Sequence, residues 1–496
     1  MNKKVILIVR DGWGYREDKE KNFVKLAKTP NTDRLEKEYP TIYIGASEEF
    51  VGLPKGFVGN SEVGHMTLGS GQILKQSLSR INESIESGEF SINSEILKAI
   101  NNVKKNKTKL HLMILMQDAG VHAHISHLFE VMRFAKKEGL KGGDVYLHLI
   151  TDGRDEDPKS GLEFLDEVSE NMEEMKLGRV ATISGRYYAM DRNKNWERTE
   201  KYYDAVVSGV SEEIFDYGKQ AIFNSYENEK ISDEFITPKV KENYGGLKDN
   251  DSLIFLNFRK DRPRQITQAL IEKDFQGFLR KEIKNIYFLS MTRYYKEQKS
   301  SVIFEDEIVE NTLGKILEEN NKTQLRIAET EKFAHVTFFF DGGVKKDFSS
   351  KKEILIPSPD VETYDLQPEM SAKEVTKTLL AEIKNSQPDF ILVNYANPDM
   401  VGHTGNFEAI QKAVETVDEE IGRLVEVGIK NEYSILLTAD HGNVDDKREE
   451  TRTTHTMSLV PLTIISNKEN LERIDLKKIK GLADIKQIIL DFMDLR

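Results

Sequence analysis

Two short motifs near the C-terminus place carboxylate beside imidazole: Asn397-Pro398-Asp399-Met400-Val401-Gly402-His403-Thr404-Gly405 and Thr438-Ala439-Asp440-His441-Gly442-Asn443, with His455 beyond them. Carboxylate oxygens and neutral imidazole nitrogens together suit a borderline divalent ion such as Mn²⁺ or Zn²⁺. Two Asp-His groups suggest two ions. The glycines flanking both motifs allow tight loops, so the ligands are expected on loops and not on an i, i+4 helix face. The competing reading is that Asp399 and Asp440 cap helices while the histidines pack. Asp11, in Arg10-Asp11-Gly12-Trp13-Gly14, ends an apolar stretch and is a further ligand candidate, although Asp-Gly alone is more often just a turn.

Gly59-Asn60-Ser61-Glu62-Val63-Gly64-His65 sets a serine between glycines, where the backbone can turn sharply and expose the hydroxyl. A serine needs a base or a metal to become a nucleophile. No Ser/His/Asp triad spacing is evident and two metal-ligand motifs are, which favours a metal; read alone, Ser61 is as well a loop residue. The middle third supplies Arg154, Arg186, Arg192, Arg259 and Arg262, whose guanidinium groups grip carboxylate or phosphate with paired hydrogen bonds. They point to a small, multiply anionic substrate, against the plainer alternative of surface ion pairs. Asp155 could act as a general base on a substrate hydroxyl or pair with an arginine. Of His122, His124 and His127, the first is read as a substrate contact and the others as packing or hydrogen-bonding residues.

Positioning these groups requires a scaffold, and apolar, β-branched runs alternating with amphipathic segments read as parallel α/β. The runs are Val5 to Val9, Leu110 to Met116, Val145 to Ile150, Val180 to Ile183, Leu253 to Leu256, Ile286 to Leu289, Val336 to Phe340, Phe390 to Val393 and Ser434 to Leu437. Helical spacing occupies Ile73 to Ile85, Leu128 to Lys137, Gly161 to Met175, Lys373 to Ile383 and Ile410 to Val425. The candidate residues fall just past strand ends, where ligands bind in open α/β sheets. At 496 residues the chain is too long for one ordinary core, so two domains are expected. Its lack of cysteine excludes thiolate chemistry and Cys-ligated zinc. A net charge of -13 argues against nucleic acid or anionic lipid as partner. No apolar run is long enough for a membrane span, and the cytoplasm is the expected location.

Taken together, Asp11-Gly12-Trp13-Gly14, Gly59 to Met66, Thr151-Asp152-Gly153-Arg154-Asp155, Gly185 to Arg192, Asn257 to Arg262, Ala328 to Thr337 and the two Asp-His motifs resemble the cofactor-independent phosphoglycerate mutases of the alkaline phosphatase superfamily. The likeness runs over essentially the whole chain. It implies two α/β domains: a discontinuous alkaline-phosphatase-like metal domain (1–75 and 308–496) with an α/β substrate domain (76–307) inserted. It implies interconversion of 3-phosphoglycerate and 2-phosphoglycerate in glycolysis and gluconeogenesis, without 2,3-bisphosphoglycerate. One Mn²⁺ would be held by Asp11, Ser61, Asp440 and His441, and a second by Asp399, His403 and His455. Ser61 would carry the phosphoryl group; His122, Arg154, Asp155, Arg186, Arg192, Arg259, Arg262 and Lys332 would contact substrate, with Asp155 and Lys332 also catalytic. A monomer suffices. Arg10, where an apolar residue is expected, Ser458-Leu459 in place of Asn-Pro, and Ala119 and Ala123 depart from the family pattern without removing a named ligand or contact.

On this reading Ser61 attacks the phosphate, Lys332 stabilises the leaving oxygen, and glycerate reorients before Asp155 deprotonates its 2-hydroxyl. Water exclusion separates transfer from hydrolysis, so hinges are expected around 72–78 and 303–312. Ligand histidines must be neutral, so activity is expected to fall at mildly acidic pH. The rivals are a phosphatase or another phosphomutase with the same metal core, and a non-catalytic metal-stabilised binding protein.

Overall fold

The computed structural model describes residues 3–228, 230–307 and 309–495. The chain forms two compact units, Met1–Gln76 with Glu307–Arg496, and Ser77–Asp306. Ile308, inside the second expected hinge span, lies outside the described residues.

The strands are β1 (Lys4–Arg10), β2 (Thr41–Ile44), β3 (Leu110–Leu115), β4 (Val145–Thr151), β5 (Arg179–Gly185), β6 (Glu213–Phe215), β7 (Lys239–Lys241), β8 (Ser252–Phe255), β9 (Tyr287–Thr292), β10 (Ser301–Phe304), β11 (Gln324–Glu329), β12 (Lys351–Ile356), β13 (Phe390–Tyr395), β14 (Tyr433–Thr438) and β15 (Val460–Ile465). The first unit holds a sheet in the order β12-β11-β13-β1-β14-β15-β2, with β1 parallel to both β13 and β14 and β15 antiparallel to its neighbours. The second unit holds β10-β9-β8-β3-β4-β5-β7-β6, parallel from β10 to β5. The class is α/β, as expected. Val5 to Val9 are fully buried, which is what a central parallel strand covered on both faces demands of its sequence.

One expected strand is corrected. Residues 336–339 belong to a helical turn, His335–Phe339, that continues the helix Thr330–Ala334 and is capped by Phe340, and the strand in this region is β11. Val336 and Phe340 are buried while Phe338 is exposed, so the apolar run follows the helical period and not strand alternation. Among the described residues, no helix is long and apolar enough to cross a membrane.

Candidate active site

In the first unit the ends of parallel strands deliver the ligand candidates. Asp11 follows β1, Asp440 and His441 follow β14, and Asp399 follows β13. Asp399 lies within the helix Asn397–Gly402 and His403 ends it, so the pair is i, i+4 on a helix, with Nε2 of His403 3.3 Å from Oδ1 of Asp399. This corrects the loop expectation. Pro398 pre-sets the first turn, and Gly402 serves close packing: a Cβ there would stand 2.6 Å from Oδ1 of Asn443. Ser61 likewise opens a helix, Ser61–Ser70, whose Asn60 N-cap accepts from the Val63 amide at 3.1 Å, and it is buried instead of exposed on a loop.

The Ser61 hydroxyl donates to Oδ1 of Asp11 at 3.1 Å and lies 3.1 Å from Nε2 of His441. The Lys332 ammonium, from the middle of the short helix Thr330–Ala334, donates to Oδ1 of Asp11 at 2.8 Å, to Ser61 Oγ at 2.7 Å and to Oδ2 of Asp399 at 2.6 Å. Nε2 of His455 is 3.1 Å from both Oδ1 of Asp399 and Nε2 of His403. All seven residues expected to bind metal are thus drawn together, with Lys332 among them.

Burial pushes the Asp11 carboxyl up, but the Lys332 ammonium outweighs it and holds the group well below the carboxylate range; Asp399 is held down in the same way. Lys332 itself is raised, its burial overcome by Asp11 and Asp399. Burial lowers His441, yet Asp440, Asp399 and Asp11 push it up to about 9. Three buried carboxylates focus negative potential that only cations relieve.

The donors fit divalent ions. His403 and His455 direct Nδ1 to backbone carbonyls, of Thr453 at 2.9 Å and Gly59 at 2.8 Å, which fixes the tautomer and leaves Nε2 free to ligate. Oδ2 of Asp440 is buried with no hydrogen-bond partner. Asp399, His403 and His455 form one candidate set; Asp11, Asp399 and His441 form another. A third grouping, Asp11, His65 and Asp440, reads differently. Nδ1 of His65 donates to the Ser61 carbonyl at 2.9 Å and Nε2 receives the Asn394 amide at 3.1 Å, so both ring nitrogens are committed and His65 braces its neighbours. Asn394 also donates to Oδ2 of Asp11 at 2.7 Å, and Asn443 to Oδ1 of Asp399 at 2.7 Å. The glycine-flanked motifs drew attention to the ligands and passed over these orienting amides.

In the second unit the candidate residues gather past β3, β4, β5 and β8. The Arg186 guanidinium is buried, donates to Oδ1 of Asp152 at 2.6 Å and to Asp155, and lies 3.1 Å from Nε2 of His122. Arg192 donates to Oδ2 of Asp261 at 2.6 Å, and Nε of Arg259 is 3.4 Å from the other oxygen. Arg262 donates to the Met190 carbonyl at 3.2 Å and Arg154 lies 3.7 Å from Glu234. Burial, followed by repulsion from Arg186, Arg192 and Arg154, lowers Arg262, so these four guanidinium groups share one neighbourhood. Burial and then Arg186 hold His122 down to about 4, keeping it neutral. Burial raises Asp155, but its bond from Arg186 wins and lowers it. His124 caps the helix Ile125–Lys137 and His127 bonds to Asn82 at 3.0 Å.

Sequence reasoning missed the hub behind this cluster. Asp152 receives the Gln117 amide at 2.6 Å and the backbone amides of Arg154 and Asp155, each at 3.0 Å, besides Arg186. Gln117 in turn accepts the amides of His122 and Ala123 at 2.6 and 2.9 Å. Asp152 sits inside the quoted Thr151 to Asp155 motif, the only signal that could have found it.

A sequence model of the Metalloenzyme superfamily matches residues 3–496. The 2,3-bisphosphoglycerate-independent phosphoglycerate mutase of Clostridioides difficile (strain 630) is 47% identical over 504 aligned residues, covering 100% of this chain and 97% of that protein. The protein of the same name from Francisella tularensis subsp. novicida (strain U112) is 44% identical, again over 100% of this chain and 97% of its own length. Crystal structures of Leishmania mexicana phosphoglycerate mutase at low cobalt concentration include one that superposes with a TM-score of 0.70 at 26% identity, covering 100% of this chain and 96% of that one. With such identity along its whole length, the chain belongs to the Metalloenzyme superfamily and, within it, to the 2,3-bisphosphoglycerate-independent phosphoglycerate mutases.

Proposed function

We propose that this chain interconverts 3-phosphoglycerate and 2-phosphoglycerate through a phosphorylated Ser61, with two divalent ions, Mn²⁺ in the cell, and no 2,3-bisphosphoglycerate, as a cytoplasmic monomer. One observation carries the reading: a serine hydroxyl held within 3.1 Å of Asp11, His441 and Lys332 in the middle of a buried ligand cluster. One ion takes Asp11, Ser61, Asp440 and His441, the other Asp399, His403 and His455. When bound, such ions lower the pKa of a coordinated hydroxyl and neutralise phosphoryl oxygens.

The Ser61 oxygen, its proton released to solvent, attacks phosphorus; the Oγ–P bond forms as the bond to the substrate oxygen breaks, and the Lys332 ammonium balances the charge gathering there until that oxygen takes up a proton. Arg154, Arg186, Arg192, Arg259 and Arg262 of the second unit hold the glycerate carboxylate, with neutral His122 as a further hydrogen-bonding partner. A substrate carboxylate competes with Asp155 for Arg186. Asp155, released from that pairing, becomes basic enough to take the proton of the 2-hydroxyl, whose oxygen then recovers the phosphoryl group.

The test is phosphorus NMR of the enzyme with 3-phosphoglycerate, free of bisphosphoglycerate, before and after chelation. Growth of the 2-phosphoglycerate signal, lost on chelation and restored by Mn²⁺, is expected. Inorganic phosphate accumulating in its place would mark the chain as a phosphatase.

A further inference from the structure

Between Gly442 and Thr456 the chain makes a long excursion with one turn of 3₁₀ helix, Glu449–Thr451, as its only regular structure. This excursion carries His455 and also Thr453, whose carbonyl fixes the His403 ring. Its ends are closed by the Thr456 amide donating to the Gly442 carbonyl at 2.9 Å and by the Thr456 hydroxyl on Asp445 at 3.0 Å. What spans its interior is Lys447. Only 1% exposed, its ammonium donates to the carbonyls of Thr451 at 3.2 Å and Thr454 at 3.0 Å, while its amide donates to the Lys21 carbonyl at 2.9 Å.

The Thr454 carbonyl belongs to the peptide plane that enters His455, so a donor on it sets the direction in which the imidazole leaves the backbone. The neighbouring peptide, through Thr453, sets the His403 tautomer. One buried ammonium therefore governs two of the three residues in the Asp399, His403 and His455 set. Asp11, Asp440 and His441 lie at the ends of core strands and have other supports, Asn394 and Lys332 for Asp11. Burial lowers Lys447 to about 8 against the pull of Asp399, Asp445 and Asp446, so it is mostly charged at neutral pH.

We infer that Lys447 is a positioning residue for the Asp399–His403–His455 ion: it clamps the loop that aims both imidazoles, and it sets the affinity of that site without touching metal or substrate. The inference rests on the two-ion reading above.

The experiment is calorimetric titration of the metal-free, full-length enzyme with Mn²⁺ alone. Wild type is expected to bind two ions. Lys447→Met, similar in length but without donors, weakens one event by about 10- to 100-fold, the usual consequence of losing an outer partner of a ligand, and leaves the other within about twofold. Lys447→Arg, which restores donors, recovers most of the loss. In a His455→Ala background, where that site is already crippled, Lys447→Met adds nothing further. Should Lys447→Met fail to fold, Lys447→Gln, which keeps an amide donor but is too short to span both carbonyls, takes its place, with a loss between those of Met and Arg expected at that one event. Unchanged affinities, an equal weakening of both events, or an undiminished effect in the His455→Ala background would each overturn the role of Lys447. A wild-type enzyme binding fewer than two ions would instead overturn the two-ion reading.

Discussion

Neither group beside the Ser61 hydroxyl is placed to act as a conventional base: Asp11 is held ionised by Lys332 and committed to that ammonium, and the His441 imidazole, despite its burial, is pushed up to about 9 by the carboxylates around it. Its reactivity therefore depends on the cations around it. Ser61→Ala is expected to lower mutase turnover by more than about 10⁴-fold, as removal of a covalent nucleophile does; a coupled assay run in excess Mn²⁺ checks this. The Asp152 hub invites a subtler substitution. Asp152→Asn keeps the shape but surrenders the charge that anchors Arg186, and a charged hydrogen bond is worth about 1.5–3 kcal/mol. A fall in kcat/KM of roughly 10- to 150-fold is expected. Mn²⁺ affinity, measured calorimetrically, should not move, because Asp152 belongs to the second unit. Arg10, which stands where an apolar residue is expected, stacks on Trp13 at 4.4 Å and reaches Thr32 at 3.5 Å, with Glu36 and Asp418 as its attractive charges. These partners make it a packing residue.

At the scale of the element, glycines decide how closely ligand-bearing segments approach. Gly64 sits in the helix that begins at Ser61, and a Cβ there would stand 2.7 Å from the Asp440 carbonyl and 2.9 Å from Cβ of Asp440. Gly64→Ala must therefore displace either the Ser61 helix or Asp440. A loss of about 1–3 kcal/mol is expected from such overpacking, together with weaker Mn²⁺ binding. Gly143→Ala, whose new Cβ would meet only Arg179 at 3.5 Å and beyond, is the control and should stay within about 0.5 kcal/mol. Thermal melts of both variants decide it. The same glycines explain what was legible in the sequence. Strands such as Val5 to Val9 announce themselves because both faces are covered, and Gly161 to Met175 is a helix with the bounds that its spacing gives. Gly402 was misread because a glycine needed for contact with Asn443 is indistinguishable, in one dimension, from a glycine needed for a turn. Asn394, Gln117 and Lys447 were invisible, and Asn443 was quoted with its motif but given no role, for a related reason: an orienting residue has no chemistry of its own to flag it, and its partner is distant in the chain.

For the molecule as a whole, acid is expected to loosen the second unit. A hydrogen-bonded file runs across its sheet from the Thr182 hydroxyl to Nδ1 of His148 at 2.9 Å, from Nε2 of His148 to Nδ1 of His111 at 2.9 Å, and from Nε2 of His111 to Asp251 at 3.3 Å. Each ring uses its single proton in this file, and an added one would place a charge in a fully buried site. Burial lowers His111 and His148, and lowers His127 to about 3. Because these folded values lie below the ordinary 6.5, the unfolded chain binds more protons on acidification. The stabilisation is complete above pH 6.5 and is lost as pH falls below it, by up to about 1.4 kcal/mol per histidine for each pH unit. Asp233, which burial raises to about 6, works in the opposite sense, as do the more exposed Glu156, Glu167 and Asp204, while His122 and His124, both lowered by burial, add to the side of the three histidines. Urea unfolding followed at pH 7 and pH 5 should show a lower midpoint at pH 5; an unchanged midpoint would mean that these histidines protonate without cost.

The central place of β1 has one more consequence, for synthesis. Its partners β13 and β14 begin at residues 390 and 433, whereas every strand of the second sheet lies between 110 and 304. On the ribosome, the inserted unit has its full complement of strands while Val5 to Val9 still lack both neighbours. For most of translation the nascent chain therefore carries an unpaired apolar edge, flanked only by Lys3, Lys4, Arg10 and Asp11 as charged gatekeepers. Slowing elongation prolongs that interval, and chaperone demand should rise with it.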